Sequence, residues 1–424
     1  MRHIQIYSLI NRRERRKHAA ERSMRRRLSH LGLGCAALGL LVVAVAVLAG
    51  SLAYANLVDQ LPPLDQLPAL LDPSTGLLMQ PTRLYDRSGQ KLLLSLENPG
   101  VPRRYLKVDP NQPDHFSPEL IRVTLGIIDP NFWNSPGFSL QHLTSKTPVT
   151  IPERLVDDLL LWQEPHGLRR ALRTRILAAQ VIARYGHVQV LEWYLNSAYY
   201  GHLAYGADSA ARLYLGKSAG QVDLSEAALL VAATQAPALN PLDAPVVAIQ
   251  NQRDILDRLL AAGIINEKEY RWAFDEKLPL GQPPAPEASP ALRFTQEALQ
   301  RLSERFGQAR LERGGLRIIT TLDYPLQLEL TCLVRTQLAR LSARGGDLTL
   351  PDGSPCRSAQ LLPALSEGDS LLPEEPVASG VVLDPQTGQV LAMVGDMTAD
   401  GETGARSGHA PGSLLTPFVA LTGF

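Results

Sequence analysis

Arg169, Arg170 and Arg173 fall within about 100° of arc if the residues around them are helical. Guanidinium groups clustered in this way can grip a phosphate through charge-assisted, bidentate hydrogen bonds. The same spacing also suits a solvated basic face, and the sequence leaves both readings open. Other chemistries lack their residues. The nine histidines include no His-Glu-x-x-His and no Cys/His cluster at metal-ligand spacing, and there is no P-loop or dinucleotide fingerprint. Neither a metal nor a cofactor is expected. The aromatic run Trp193, Tyr194, Tyr199 and Tyr200 reads as core and groove packing. Cys332 and Cys356 are open to two readings, a disulfide or two thiols in the core.

The elements that must position these residues are separated by composition. Residues 1–30 hold ten Lys/Arg against Glu14 and Glu21, and residues 31–58 then carry no ionisable side chain except Cys35 and Tyr54. About 20 apolar residues suffice to cross a bilayer as a helix. The run is longer than the h-region of a secretory signal. A basic tail on the cytoplasmic side predicts a single-pass anchor with everything after it outside. The chain balances 42 basic against 42 acidic residues, so removing the tail leaves an acidic exported part. That argues against nucleic acid as a partner. Expected divisions are a tail at 1–30, a transmembrane helix at 31–55, a Pro- and Leu-rich linker at 56–81, a domain at 82–275, a second linker at 276–313 and a last segment at 314–424. Residues 82–90 read as a strand entering a turn at Asp86-Arg87-Ser88-Gly89. Leu168, Leu172, Ile176, Ala179 and Ala183 share one helical face, which predicts a buried stripe with the arginines opposite.

A longer pattern carries a resemblance. Tyr194-Leu195-Asn196, Gly201, Tyr205-Gly206, Ala210-Ala211, Tyr214 and Gly216-Lys217, with Glu226-Ala227-Ala228 and Asn240-Pro241, resemble the lipid II polymerising domain of class A penicillin-binding proteins, the family-51 peptidoglycan glycosyltransferases. Gly314-Gly315-Leu316-Arg317, Thr320-Thr321-Leu322-Asp323 and Asp384-Pro385-Gln386-Thr387-Gly388 are similar to the opening of the family's transpeptidase part. The resemblance implies a mainly α fold: a lysozyme-like helical domain after one transmembrane helix, with a partial α/β transpeptidase-like segment at the C-terminus. It also implies a place in the bacterial cell membrane and in peptidoglycan synthesis. The implied partners are the membrane, lipid II or another undecaprenyl-linked glycan, and cell-wall synthases.

The family's reacting groups are replaced. Its general base, the Glu of a Glu-Asp pair, falls on Ile128; the neighbouring acid persists as Asp129, either a displaced base or a capping side chain beside Pro130. The Gly-Gly-Ser-Thr-Ile-Thr-Gln-Gln loop becomes Thr147-Pro148-Val149-Thr150-Ile151-Pro152-Glu153-Arg154, in which Thr150 and Ile151 match. Two prolines without N–H groups and no glycine make a poor phosphate cradle. The family's second Glu falls on Thr174. In the last segment Ser413 keeps the place of the transpeptidase nucleophile, but Thr416 stands where its activating Lys belongs. The expectation is an impaired enzyme that binds substrate or serves as a scaffold, with Asp129 as candidate base and Thr150, Arg169, Arg170 and Arg173 as candidate substrate ligands. The alternative is an active polymerase using Asp129, Glu153 or Glu164.

Overall fold

The computed structural model describes residues 38–282, 289–342, 348–362, 376–398 and 401–402. Ser413 and Thr416 lie outside them, as does the basic tail. The chain divides into two compact units: Met1–Pro62 with His166–Arg173, and Pro63–Pro165 with Thr174–Phe424.

In the first unit, helix α1 (Leu38–Val58) has 21 residues and a mean hydropathy of 2.3. At 1.5 Å per residue it is about 31 Å long, close to the thickness of a bilayer's hydrocarbon core. Its side chains are exposed apart from the last two, as a lipid-facing helix requires, so the segment fits a single-pass anchor. The carbonyls at its C-terminal end have no partner within the helix. Arg173 supplies one: its guanidinium donates to the carbonyls of Leu57 (3.1 Å), Asp59 (2.8 Å) and Gln60 (2.9 Å). A cation at a helix C-terminus is also favoured by the helix dipole.

The second unit begins with α2 (Gln66–Leu71), whose Leu67 and Leu71 are fully buried within the expected linker. Strand β1 (Thr82–Tyr85) enters the turn the sequence predicts, and β2 (Leu92–Leu96) returns antiparallel to it as a hairpin. Its turn closes on Asp86, whose Oδ1 accepts from the Ser88 hydroxyl at 2.7 Å and the Lys91 amide at 3.1 Å, while Gly89 takes φ 71°. Strand β3 (Arg317–Ile319) pairs parallel to β1, giving the order β2-β1-β3.

The helical body follows: α3 (Pro118–Ile128), α4 (Ile151–Leu159), α5 (Leu168–Ser197, broken at Gly186 and shared with the first unit), α6 (Ala207–Leu215), α7 (Leu224–Gln235), α8 (Pro245–Ala261) and α9 (Glu267–Asp275). Helix α7 is buried on all sides from Leu224 to Ala233 and packs against α3, α6, α8 and α9. A helix apolar all round belongs at the centre.

The shared signature is scaffold. Asn196, 3% exposed, accepts from the Leu106 amide at 2.9 Å and donates to the Leu106 and Glu192 carbonyls, both at 2.8 Å. Glu192 takes the Tyr105 hydroxyl (2.8 Å) and the Val108 amide (3.1 Å), so the 105–108 strip is fastened to α5. Tyr214 donates to the Tyr200 carbonyl at 2.9 Å, and a Cβ at Gly201 would collide with the Pro237 carbonyl. Trp193, Tyr194 and Tyr200 are buried, the packing role their pattern suggests.

The stripe expected on α5 faces the other way. Leu168 and Ala183 are exposed and Leu172, Ile176 and Ala179 only half-buried, whereas Arg170, Arg173, Thr174 and Arg175 are buried, as are Leu177, Ala178 and Val181. Period alone ranks leucine above arginine for the inside. Here Arg173 and Arg175 are drawn in by carbonyl and carboxylate partners that outweigh the cost of burial.

Between 276 and 313, where a linker was expected, stand α10 (Leu292–Phe306) and α11 (Gln308–Arg313). Helix α12 (Tyr324–Leu341) then packs on a sheet of β4 (Ala378–Leu383), β5 (Val390–Thr398) and β6 (Gly401–Glu402), in that order. Gln327 fixes the contact by accepting from the Met393 amide at 2.8 Å and donating to its carbonyl at 3.0 Å.

Candidate active site

A cavity of about 500 Å³ opens between the end of α3 and the start of α4, lined by Ile128, Asp129, Asn134, Ser139, His142, Val149 and Thr150, among others. Two short features shape it. Phe132, fully buried, begins a turn of 3-10 helix and meets His187 edge-on at 5.3 Å, and His187 Nε2 lies 3.0 Å from the Ser135 carbonyl. Opposite, Thr150 is the N-cap of α4: its hydroxyl accepts from the Glu153 amide at 3.3 Å and donates to the Gly137 carbonyl at 2.8 Å.

Asp129 stands on this wall, 5% exposed, at the C-cap of α3. Its Oδ2 accepts from the Ile151 amide at 3.1 Å, so the side chain caps the next helix in space. Burial pushes its pKa up, the Ile151 N–H opposes that, and the Glu153 carboxylate adds to the rise. Glu153 is committed as well. Its Oε2 accepts from the amides of Val149 (2.7 Å) and Thr150 (3.1 Å), and its Oε1 lies 3.4 Å from Arg175 Nε.

The consequence for anion binding is direct. Free amides at a helix N-terminus attract phosphates. Here each N–H from Val149 to Glu153 is already held by a side-chain oxygen of this chain, and Pro152 has none. Two of those oxygens belong to carboxylates, whose charge repels a second anion.

Thr174, where the resemblance would put the second acid, is buried and donates to Asp157 Oδ1 at 3.0 Å. Asp157, itself 7% exposed, is a carboxylate with no mark in the sequence, because it lies on α4 and meets Thr174 only in the folded chain. Arg175 was missed too. It donates to the carbonyls of His142 (2.9 Å) and Ser145 (2.7 Å) and so ties the 139–145 loop to α5. Nothing in the run Arg173-Thr174-Arg175 marks that both arginines turn inward.

Of the residues selected from the sequence, Asp129 and Thr150 line one cavity, while Arg169, Arg170 and Arg173 are not among its lining residues. Arg169 is exposed, Arg170 buried, and Arg173 occupied by the carbonyls at the end of α1. Among the described residues no group of three or more His, Cys, Asp or Glu is placed to hold a metal ion.

Residues 103–260 match the transglycosylase family. Penicillin-binding protein 1A of Aquifex aeolicus is 28% identical over 309 residues, which is 68% of this chain and 39% of that protein. Penicillin-binding protein 2D of Bacillus subtilis is 27% identical over 266 residues, 58% of this chain and 37% of that protein. The chain thus spans under two fifths of the length of these relatives. A crystal structure of penicillin-binding protein 1A from Haemophilus influenzae aligns with 76% of this chain and 38% of its own at 20% identity, with a TM-score of 0.33, too loosely to fix any residue's role. The matched region and these relatives support a transglycosylase domain of the class A penicillin-binding protein kind at residues 103–260.

Proposed function

We propose that this chain is a membrane-anchored peptidoglycan-biogenesis protein whose transglycosylase domain no longer polymerises, and which binds lipid II or a related undecaprenyl-linked glycan, or holds partner synthases, as a scaffold. The observation that carries the reading is the closed N-terminus of α4: its amides are held by Glu153, Asp129 and Thr150, where a donor pyrophosphate would need them. Ile128 lines the same cavity in the place of the family's base and accepts no proton. The divisions at 82–275 and 314–424, the latter as a partial transpeptidase segment, and an orientation with the C-terminal part outside the cytoplasm belong to the same proposal.

Arg169, exposed at the start of α5, remains a candidate contact for a lipid-linked phosphate. Arg170 and Arg173 enter this reading as supports, since both are buried. A second reading, an active polymerase with Asp129 as base, is favoured by one observation: Asp129 lines the cavity with a raised pKa, the direction a general base needs. Titration of the full chain in detergent with a fluorescent lipid II analogue, with product scored in the same tube, tests the proposal. Saturable binding without glycan product supports it. Product formation contradicts the loss of catalysis, and absence of binding confines the role to protein partners.

A further inference from the structure

Cys332 lies within α12, and Cys356 precedes the 3-10 turn Ser358–Leu361. Both are under a tenth exposed and form one apolar cluster with Ala359, closed over by Leu348, Leu350 and Leu362. The two thiols share this cluster, and burial, followed by the neighbouring Cys356, pushes the Cys332 thiol up to about 12. Besides the weak contacts of Cys332 Sγ with the Leu348 carbonyl (3.7 Å) and of Cys356 Sγ with the Ser358 hydroxyl (3.6 Å), oxygen and nitrogen contacts hold the arm that carries Cys356. Glu329, one helical turn before Cys332, accepts from the Ser358 amide at 3.0 Å and the Ser358 hydroxyl at 2.7 Å, and its carbonyl accepts from the same hydroxyl at 3.1 Å. A bridge between Thr349 and Pro355 closes the base of the arm.

We propose that Cys332 and Cys356 form an intramolecular disulfide that braces α12 to the 348–362 arm once the chain meets a thiol–disulfide oxidant. Polar contacts fix the arm, so the thiols are brought together before any bond forms. The chemistry balances as two exchanges. The Cys356 thiolate attacks the oxidant's disulfide, giving a mixed disulfide and one released thiol. Cys332 then loses its proton and attacks Cys356 Sγ, releasing the second. The protein's two thiols give up two electrons and two protons, and the oxidant's disulfide becomes two thiols. For the living cell this rests on the outward orientation proposed above, because disulfides persist outside the cytoplasm and not within it.

The test is thiol counting on the full chain. In detergent with oxidised glutathione, and mild denaturant added and then removed so that the buried arm opens, denaturing alkylation should label only Cys35 of the three cysteines before reduction and all three after it. Peptide mapping should show the 332–356 cross-link. Three labelled thiols, or glutathione adducts at both positions, would overturn the proposal. Cys356→Ser should free Cys332 for labelling; should that variant not fold, the count on the unaltered chain still decides. Acid-trapped cells separate the two premises: a closed bond supports both, whereas closure in detergent with reduced thiols in cells upholds the pairing and refutes the outward orientation.

Discussion

Replacing Arg175 with alanine should loosen one wall of the cavity without unfolding the helical body. Arg175 and Glu153 have side chains 6% and 2% exposed and approach to 3.4 Å, and the same guanidinium holds the His142 and Ser145 carbonyls. Breaking a buried pair by removing one partner costs about 3–5 kcal/mol. The lower end applies, because Glu153 keeps its two amide donors and His142 lies at the surface, where water replaces the lost donor. At about 1.4 kcal/mol per tenfold, a local cost of about 3 kcal/mol should speed amide exchange about a hundredfold. Hydrogen exchange read by mass spectrometry on peptides covering 138–150 is the assay, with α7 as internal reference. Arg175→Lys keeps the charge but not the fork and should fall between. Exchange in 138–150 unchanged within about threefold, or rising equally in α7, would refute the reasoning.

Three further outcomes follow from other contacts. Because burial raises the Asp129 pKa, the folded state binds the proton more tightly than the unfolded chain, so this group's contribution to stability falls as pH rises from about 4 through the folded pKa. Asp129→Asn keeps an acceptor for the Ile151 amide, so its melting temperature relative to the unaltered chain should be higher at pH 8 than at pH 4; the reverse order would contradict the buried-carboxylate account. Thr174→Glu sets a second carboxylate against Asp157, now 3.0 Å from the Thr174 hydroxyl, and should lower the melting temperature, whereas Thr174→Glu with Asp157→Asn should recover much of the loss; equal melting of the two variants would show that the pair is not coupled. Alkaline phosphatase fused after Phe424 should be active if the ten-arginine/lysine tail stays in the cytoplasm, and an inactive fusion beside an active cytoplasmic reporter would reverse the orientation.

What the sequence made legible was local or long-patterned. The strand and turn at 82–90 could be read because Asp86-Arg87-Ser88-Gly89 contains its own turn chemistry, and α1 because length and hydropathy alone define it. The signature around Asn196 revealed the domain through residues that proved to hold backbone together. The site was less legible because its contacts join distant positions. Asp129 could be read as a cap, but the helix it caps begins 22 residues later at Ile151, and nothing in the sequence names that partner. Arg173 had the right chemistry for phosphate, yet its acceptors are carbonyls more than a hundred residues earlier. Periodicity failed on α5 for the same reason: it weighs side-chain polarity, and the inward arginines are set by partners that it does not see.

The most direct test of the central claim is polymerisation of purified lipid II by the full-length chain in detergent, scored by glycan product on gels beside an active class A enzyme. With Ile128 in the place of the base and the amides of α4 already occupied, the account predicts product at least about 10²–10⁴-fold below the active enzyme, the usual cost of a lost general base. Glycan chains made at a comparable rate, and abolished by Asp129→Asn, would contradict it and make Asp129 the base.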